Sequence, residues 1–173
     1  SFHRQSAIAE LVVADKTPPD APVVQELTDA MDYITGTAEP NAIITVLKND
    51  AVFARERANE HGEFHIFIEK QPADTFLVIY AEDSSSNKSE QVTVTVLDVT
   101  PPAKPVLNEA ITESANYIRG TAEAGAMVYV KANGVELFRQ RADMLGQFGT
   151  FIAPQKAGTT IEIMAEDAAG NKS

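Results

Sequence analysis

The sequence contains no cysteine and no tryptophan, and only 7% of it is aromatic. Without cysteine there is no disulfide framework and no thiolate metal site, and redox chemistry gives no clue to the compartment. Basic charge is scarce as well: 14 Lys and Arg stand against 25 Asp and Glu, a net charge of −11. A nucleic-acid partner needs a basic face for its phosphates, so that class of function is excluded. No apolar run approaches the roughly 18 residues of a membrane helix, and no stretch holds a helical period. Ser1-Phe2-His3-Arg4-Gln5 lacks the charged head and apolar core of a signal peptide. Either a leader has been removed or the sequence is an internal piece.

What the sequence does contain is repetition. Asp15-Lys16-Thr17-Pro18-Pro19 returns as Asp98-Val99-Thr100-Pro101-Pro102, and a period of about 83 residues makes each repeat a whole domain. Paired prolines fix φ, donate no backbone hydrogen bond and push the preceding Thr towards extended geometry. Asp98, Val99, Thr100, Pro101 and Pro102 therefore read as an interdomain joint. From Tyr33 onward an offset of about 84 residues gives roughly 26 identities in 57 positions. The expected division is 1–16 as an isolated last strand, 17–99 as the first domain and 100–173 as the second.

Short β-branched and aromatic runs with period two, broken by Gly, Asn, Asp and Pro, predict strands at 23–25, 33–38, 42–48, 52–57, 64–69, 75–82 and 91–97. Ile34, Ile44, Val46, Phe64, Ile66, Ile68, Leu77, Ile79, Ala81, Val92, Val94 and Val96 fall on the inward face. The second copy repeats the pattern with Ile118, Val128, Val130, Phe148, Ile152, Ile161, Ile163 and Ala165, and Asn133-Gly134 is a strong hairpin signal. Six of its strands are present and the seventh is not. The fold class is all-β: two tandem immunoglobulin-like sandwiches, the second without its last strand.

The motifs Gly36-Thr37-Ala38-Glu39, Gly62-x-Phe64 and Ala81-Glu82-Asp83-x-x-x-Asn87-Lys88-Ser89 recur as Gly120-Thr121-Ala122-Glu123, Gly146-x-Phe148 and Ala165-Glu166-Asp167-x-x-x-Asn171-Lys172-Ser173. This pattern resembles the bacterial immunoglobulin-like repeats of cell-surface proteins and large adhesins. The resemblance covers nearly the whole chain. It implies an extracellular, non-catalytic stalk or spacer at the bacterial surface, and joints that in some related repeats hold calcium.

Residues 6–14 have the alternation of residues 89–97, so Ala7, Ala9, Leu11 and Val13 match a seventh strand. A spare strand and a missing strand thus occur in one sequence. Five residues of joint reach roughly 17 Å, short of the far end of an end-to-end pair. Unless the domains lie side by side, a neighbouring repeat or molecule must accept the strand, adding it to a sheet edge. Each of Leu11 and Val13 would contribute about 1.5 to 3 kcal/mol on burial, before the cost of association. The alternative is that both ends simply fall in one loop of a longer array.

Other candidate sites follow from repeated polar positions. Asp15, Asp83, Asp98 and Asp167 are candidate calcium ligands, calcium being the only cofactor considered; the plainer reading closes Asx turns with Asp83 and Asp167. Arg55 and Arg57, like Arg139 and Arg141, alternate on one strand and share a face, able to meet a host or cell-wall glycan or protein, or simply to pair with Glu. His3, His61 and His65 read as solvated or rim residues. The expected function is structural or adhesive. Its rivals are a self-assembling fibre subunit and a glycan- or wall-binding accessory domain of a secreted enzyme.

Overall fold

The computed structural model describes residues 11–173. Contacts divide the chain between Leu97 and Asp98 into two compact units. Unit 1 contains β1 (Val23–Val24), β2 (Tyr33–Thr37), β3 (Ile43–Lys48), β4 (Ala51–Arg57), β5 (Glu63–Phe67), β6 (Phe76–Glu82) and β7 (Val92–Thr95). They form a three-stranded sheet ordered β1-β2-β5 and a four-stranded sheet ordered β4-β3-β6-β7, with every pairing antiparallel. Unit 2 contains β8 (Val106–Leu107), β9 (Tyr117–Thr121), β10 (Met127–Ala132), β11 (Val135–Arg141), β12 (Gln147–Phe151) and β13 (Ile161–Glu166). Its sheets are ordered β8-β9-β12 and β11-β10-β13. Each predicted strand is found within one to two residues of its expected bounds.

The alternation places one face of each sheet inside. Ile34, Ile44, Val46, Phe64, Ile66, Leu77, Ile79, Ala81 and Val96 are buried in unit 1, with Ile68 and Val94 packed against them. Val92 is only half-buried. The β3–β4 and β10–β11 hairpins turn on Asn49-Asp50 and Asn133-Gly134, all four at positive φ. That is the backbone of a two-residue hairpin whose twist matches its strands. Glycine is required at position 36 for a different reason. A Cβ there would lie 2.2 Å from the Val23 carbonyl oxygen and 2.5 Å from Cζ of Phe64, and Gly120 stands in the same relation to Val106 and Phe148.

The units differ where β7 runs. In unit 1 it pairs with β6, setting Val94 opposite Leu77 and Val92 opposite Ile79. Its continuation pairs in parallel with the segment at Thr28, where the Leu97 amide donates to the Leu27 carbonyl and the Asp29 amide to the Leu97 carbonyl, both at 2.9 Å. Leu27, Leu77, Ile79 and Val96 are consequently buried. In unit 2, β13 pairs with β10 on one side and has no strand on the other among the described residues. Ile161, Ile163 and Ile111, the counterparts of Leu77, Ile79 and Leu27, are half-buried, as is Ile152. The sequence places Ile161 and Ile163 inward, and they do face the core. Their burial is incomplete because no strand among the described residues lies beside β13 on that side.

Candidate functional site

The joint motif is tied to the unit that follows it by one asparagine in each repeat. Asp15 and Asp98 each accept a hydrogen bond on Oδ1 from the amide two residues on, Thr17 at 3.0 Å and Thr100 at 3.1 Å. Asn87 Nδ2 donates to the Asp15 carbonyl at 3.4 Å, and Asn171 Nδ2 donates to the Asp98 carbonyl and Oδ1 at 3.3 Å each. The same asparagines close their own loops. Asp83 Oδ1 accepts from the amides of Ser85 and Asn87, and Oδ2 from Asn87 Nδ2 at 2.8 Å. Asp167 binds the Asn171 amide and side chain in the same way. Ser89 and Ser173 finish each motif, taking the amides of Ala81 and Ala165 on Oγ at 2.9 Å. The recurring Ala-Glu-Asp-x-x-x-Asn-Lys-Ser sequence is thus a self-satisfied loop that grips the joint.

The four candidate calcium ligands fall into two pairs, Asp15 near Asp83 and Asp98 near Asp167. Asp15 and Asp83 line a shallow cavity of about 420 Å³ with Glu39, but the cation already there is Arg57. Among the described residues no group of three or more His, Asp or Glu is placed to hold a metal ion. The carboxylates instead carry the load of their Asx turns. The Asn87 side-chain bond holds the Asp83 carboxyl below its ordinary 3.8, overcoming desolvation. At Asp167 desolvation is the largest influence and pushes upward, yet the bonds from Asn171 and from the Ala169 and Gly170 amides bring the net shift down. A carboxyl depressed on folding adds stability that is complete above its unfolded pKa and vanishes as pH falls through the folded one. Stability should therefore begin to fall as pH drops through about 4. An NMR titration should give Asp83 a midpoint below 3.8 that Asn87→Ala moves back up; an unmoved midpoint would contradict this reading of the loop.

The arginines separate into two roles. Arg55 Nη2 approaches Glu82 at 3.4 Å, and Arg139 Nε approaches Glu136 at 3.1 Å while its guanidinium lies over Tyr129. Arg57 and Arg141 instead donate to turn carbonyls, Asn41 at 2.7 Å and Gly125 at 2.6 Å. Only Nη1 is used in each of these bonds.

The donor strand lies partly outside the described residues, as Ala7 and Ala9 do. Leu11 and Val13 are 95% and 94% exposed and belong to no strand. Within this chain nothing among the described residues covers the open side of β13. The opposite sheets carry a feature that sequence reasoning passed over. Tyr33 lies directly across from Phe67, and Tyr117 across from Phe151, on the outer faces of β1-β2-β5 and β8-β9-β12. Phe67 is 77% exposed and Phe151 78%. Both pairs are identities at the repeat offset, so the signal was present, but only the fold shows that they meet.

The sequence profile of the bacterial Ig domain matches residues 18–98 and again 101–173. The chain belongs to the bacterial Ig domain family. As such a pair of domains it is 26% identical over 145 residues to the cell wall-associated protease of Bacillus subtilis (strain 168), covering 83% of this chain and 16% of that protein. It therefore spans a small part of that relative's length. The solved structure of bovine butyrophilin superposes with a TM-score of 0.57 at 10% identity, over 91% of this chain and 96% of that one. This likeness shows a shared immunoglobulin-like fold. The BSP domain of a biofilm associated protein aligns at TM-score 0.40 and 18% identity, over 90% of this chain and 27% of that chain.

Proposed function

We propose that these bacterial Ig domains form a non-catalytic spacer of an extracellular surface protein, and that the repeats complete one another by exchanging the strand at residues 7–14. The observation that carries this reading is the pairing of a half-covered core in unit 2 with a spare strand of matching alternation. Ile161 and Ile163 are half-buried beside an open sheet edge, and Leu11 and Val13 stand at the positions of Val94 and Val96 in the repeat. The edge strand supplies backbone bonds to an added strand, and the half-covered isoleucines supply specificity. The surface location is supported by the family and by the cell wall-associated relative.

The joint suits a spacer. Leu97 is bonded through its backbone to Leu27 and Asp29 of unit 1, and the next residue, Asp98, is gripped by Asn171 of unit 2. The two residues of this peptide link are thus each hydrogen-bonded within their own unit. Strand exchange between molecules is heterologous, so it would extend as a filament or close as a ring. Sedimentation over a wide concentration range tests it. The intact chain should associate as concentration rises and a chain lacking residues 1–14 should stay monomeric; two monomeric profiles would overturn exchange between molecules.

A further inference from the structure

The two units carry the same groove. In unit 1 it runs beside β5, the edge of the β1-β2-β5 sheet, with a volume of about 590 Å³; in unit 2 it runs beside β12 with about 400 Å³. These volumes are in the range of small-ligand sites. Most lining positions correspond, yet their charges do not: Thr35 and Asn59 of the first groove give way to Arg119 and Asp143 in the second. Glu56 faces the groove where Gln140 does in the second copy, and Glu63 where Gln147 does. Arg57 and Arg141 are common to both, each with one nitrogen held by a turn carbonyl. Two carboxylates have been exchanged for amides of the same shape. An acceptor oxygen is kept at each of these two positions, while the charged groups of the second lining are Arg119, Arg141 and Asp143.

At one end of each groove stands the exposed aromatic group. His65 lines the groove of unit 1, stacks on Tyr33 at 4.8 Å and meets Phe67 edge-on at 4.6 Å. In unit 2 Tyr117 itself lines the groove and meets Phe151 edge-on at 4.8 Å. A ligand suited to both copies must offer an apolar face to an aromatic ring and many hydroxyls to acceptors and an arginine fork, and must be indifferent to the charge on the lining. The net charge of −11 turns away polyanions. We propose that each unit binds a segment of neutral polysaccharide, a pyranose face resting on Phe67 and Tyr33 or on Phe151 and Tyr117, with neighbouring hydroxyls on Glu56, Glu63 and Arg57 or on Gln140, Gln147 and Arg141. This site does not depend on strand exchange.

The test is an amide-resolved NMR titration of the full chain with cellohexaose and with chitohexaose, each to about 10 mM, a range suited to single-site affinities near 1 mM. Shifts should concentrate on β5 and β12. Phe67→Ala with Phe151→Ala should weaken binding about tenfold or more, as expected when a stacking ring is removed. Glu113→Gln, at an exposed position that lines neither groove, should leave it within about twofold. No shift with either hexaose, or binding undiminished in the phenylalanine variant, would overturn the proposal. So would a preference for a heparin hexasaccharide. If each phenylalanine serves only as the cross-strand partner of its tyrosine, its loss lowers the melting temperature and leaves binding intact.

Discussion

Ile79→Ala destabilises unit 1 by about 3 kcal/mol, and Ile163→Ala at the same place in unit 2 by no more than about half of that. Ile79 has no exposed surface and lies between Val46 and Val92 on flanking strands. Truncating such a residue loses both its transfer free energy and the contacts around the cavity that remains. Ile163 has Val130 on one side and no strand on the other. Part of its surface is already in water, and the space left by truncation opens to solvent, so the cavity contribution is small. Denaturant unfolding of the full chain, followed by amide signals from each unit, separates the two costs. Equal costs would mean that Ile163 is as fully covered as Ile79, contrary to the open edge of β13.

This contrast follows from a difference between otherwise matching repeats. Unit 1 buries Leu27, Leu77, Ile79 and Val96 in one cluster with the rest of its core, whereas the buried cluster of unit 2 is Ile118, Val128, Val130, Ala142 and Phe148. A core of that size is marginal for a small domain.

The strands were legible because period-two alternation of β-branched residues has no other good solution in water, and Asn133-Gly134 named its own turn. Ile161 and Ile163 were correctly turned inward, but alternation reports direction and not depth; how far a residue is buried depends on what lies across from it. Leu27 was missed because it sits in no alternating run. It is buried beside the parallel bridge between Thr28 and Leu97, residues from opposite ends of the unit, a pairing that local pattern does not encode. Ala42 and Ala58 are buried too, and an alanine carries little hydrophobic signal. The Asp83 and Asp167 loops were legible as Asx turns, since the side chain acts on its own backbone. Their grip on Asp15 and Asp98 was not, because Asn87 and Asn171 reach across the whole length of a repeat. The aromatic pairs were written in the repeat identities, but facing of Tyr33 by Phe67 is a matter of register.

A spare strand offered in trans should raise the stability of unit 2 and leave unit 1 untouched. A peptide with the sequence of residues 6–14, added to the full chain at a concentration low enough to suppress self-association, would lay its alternate apolar side chains over Ile161 and Ile163 and its backbone against β13. A ligand at about a hundredfold excess over its Kd stabilises the folded state by about 2.7 kcal/mol. For a domain of this size that raises the melting temperature by about 10 °C or more. The gain should be confined to the lower of two transitions, because β6 already has β7 as its partner. A scrambled peptide of the same composition, which loses the alternation, should do little. The most direct measurement is hydrogen exchange at the amides of β13 and β6 with and without the peptide. Strand completion predicts that β13 amides gain protection on peptide addition while β6 amides do not change; β13 amides that exchange at the same rate in both samples would contradict it.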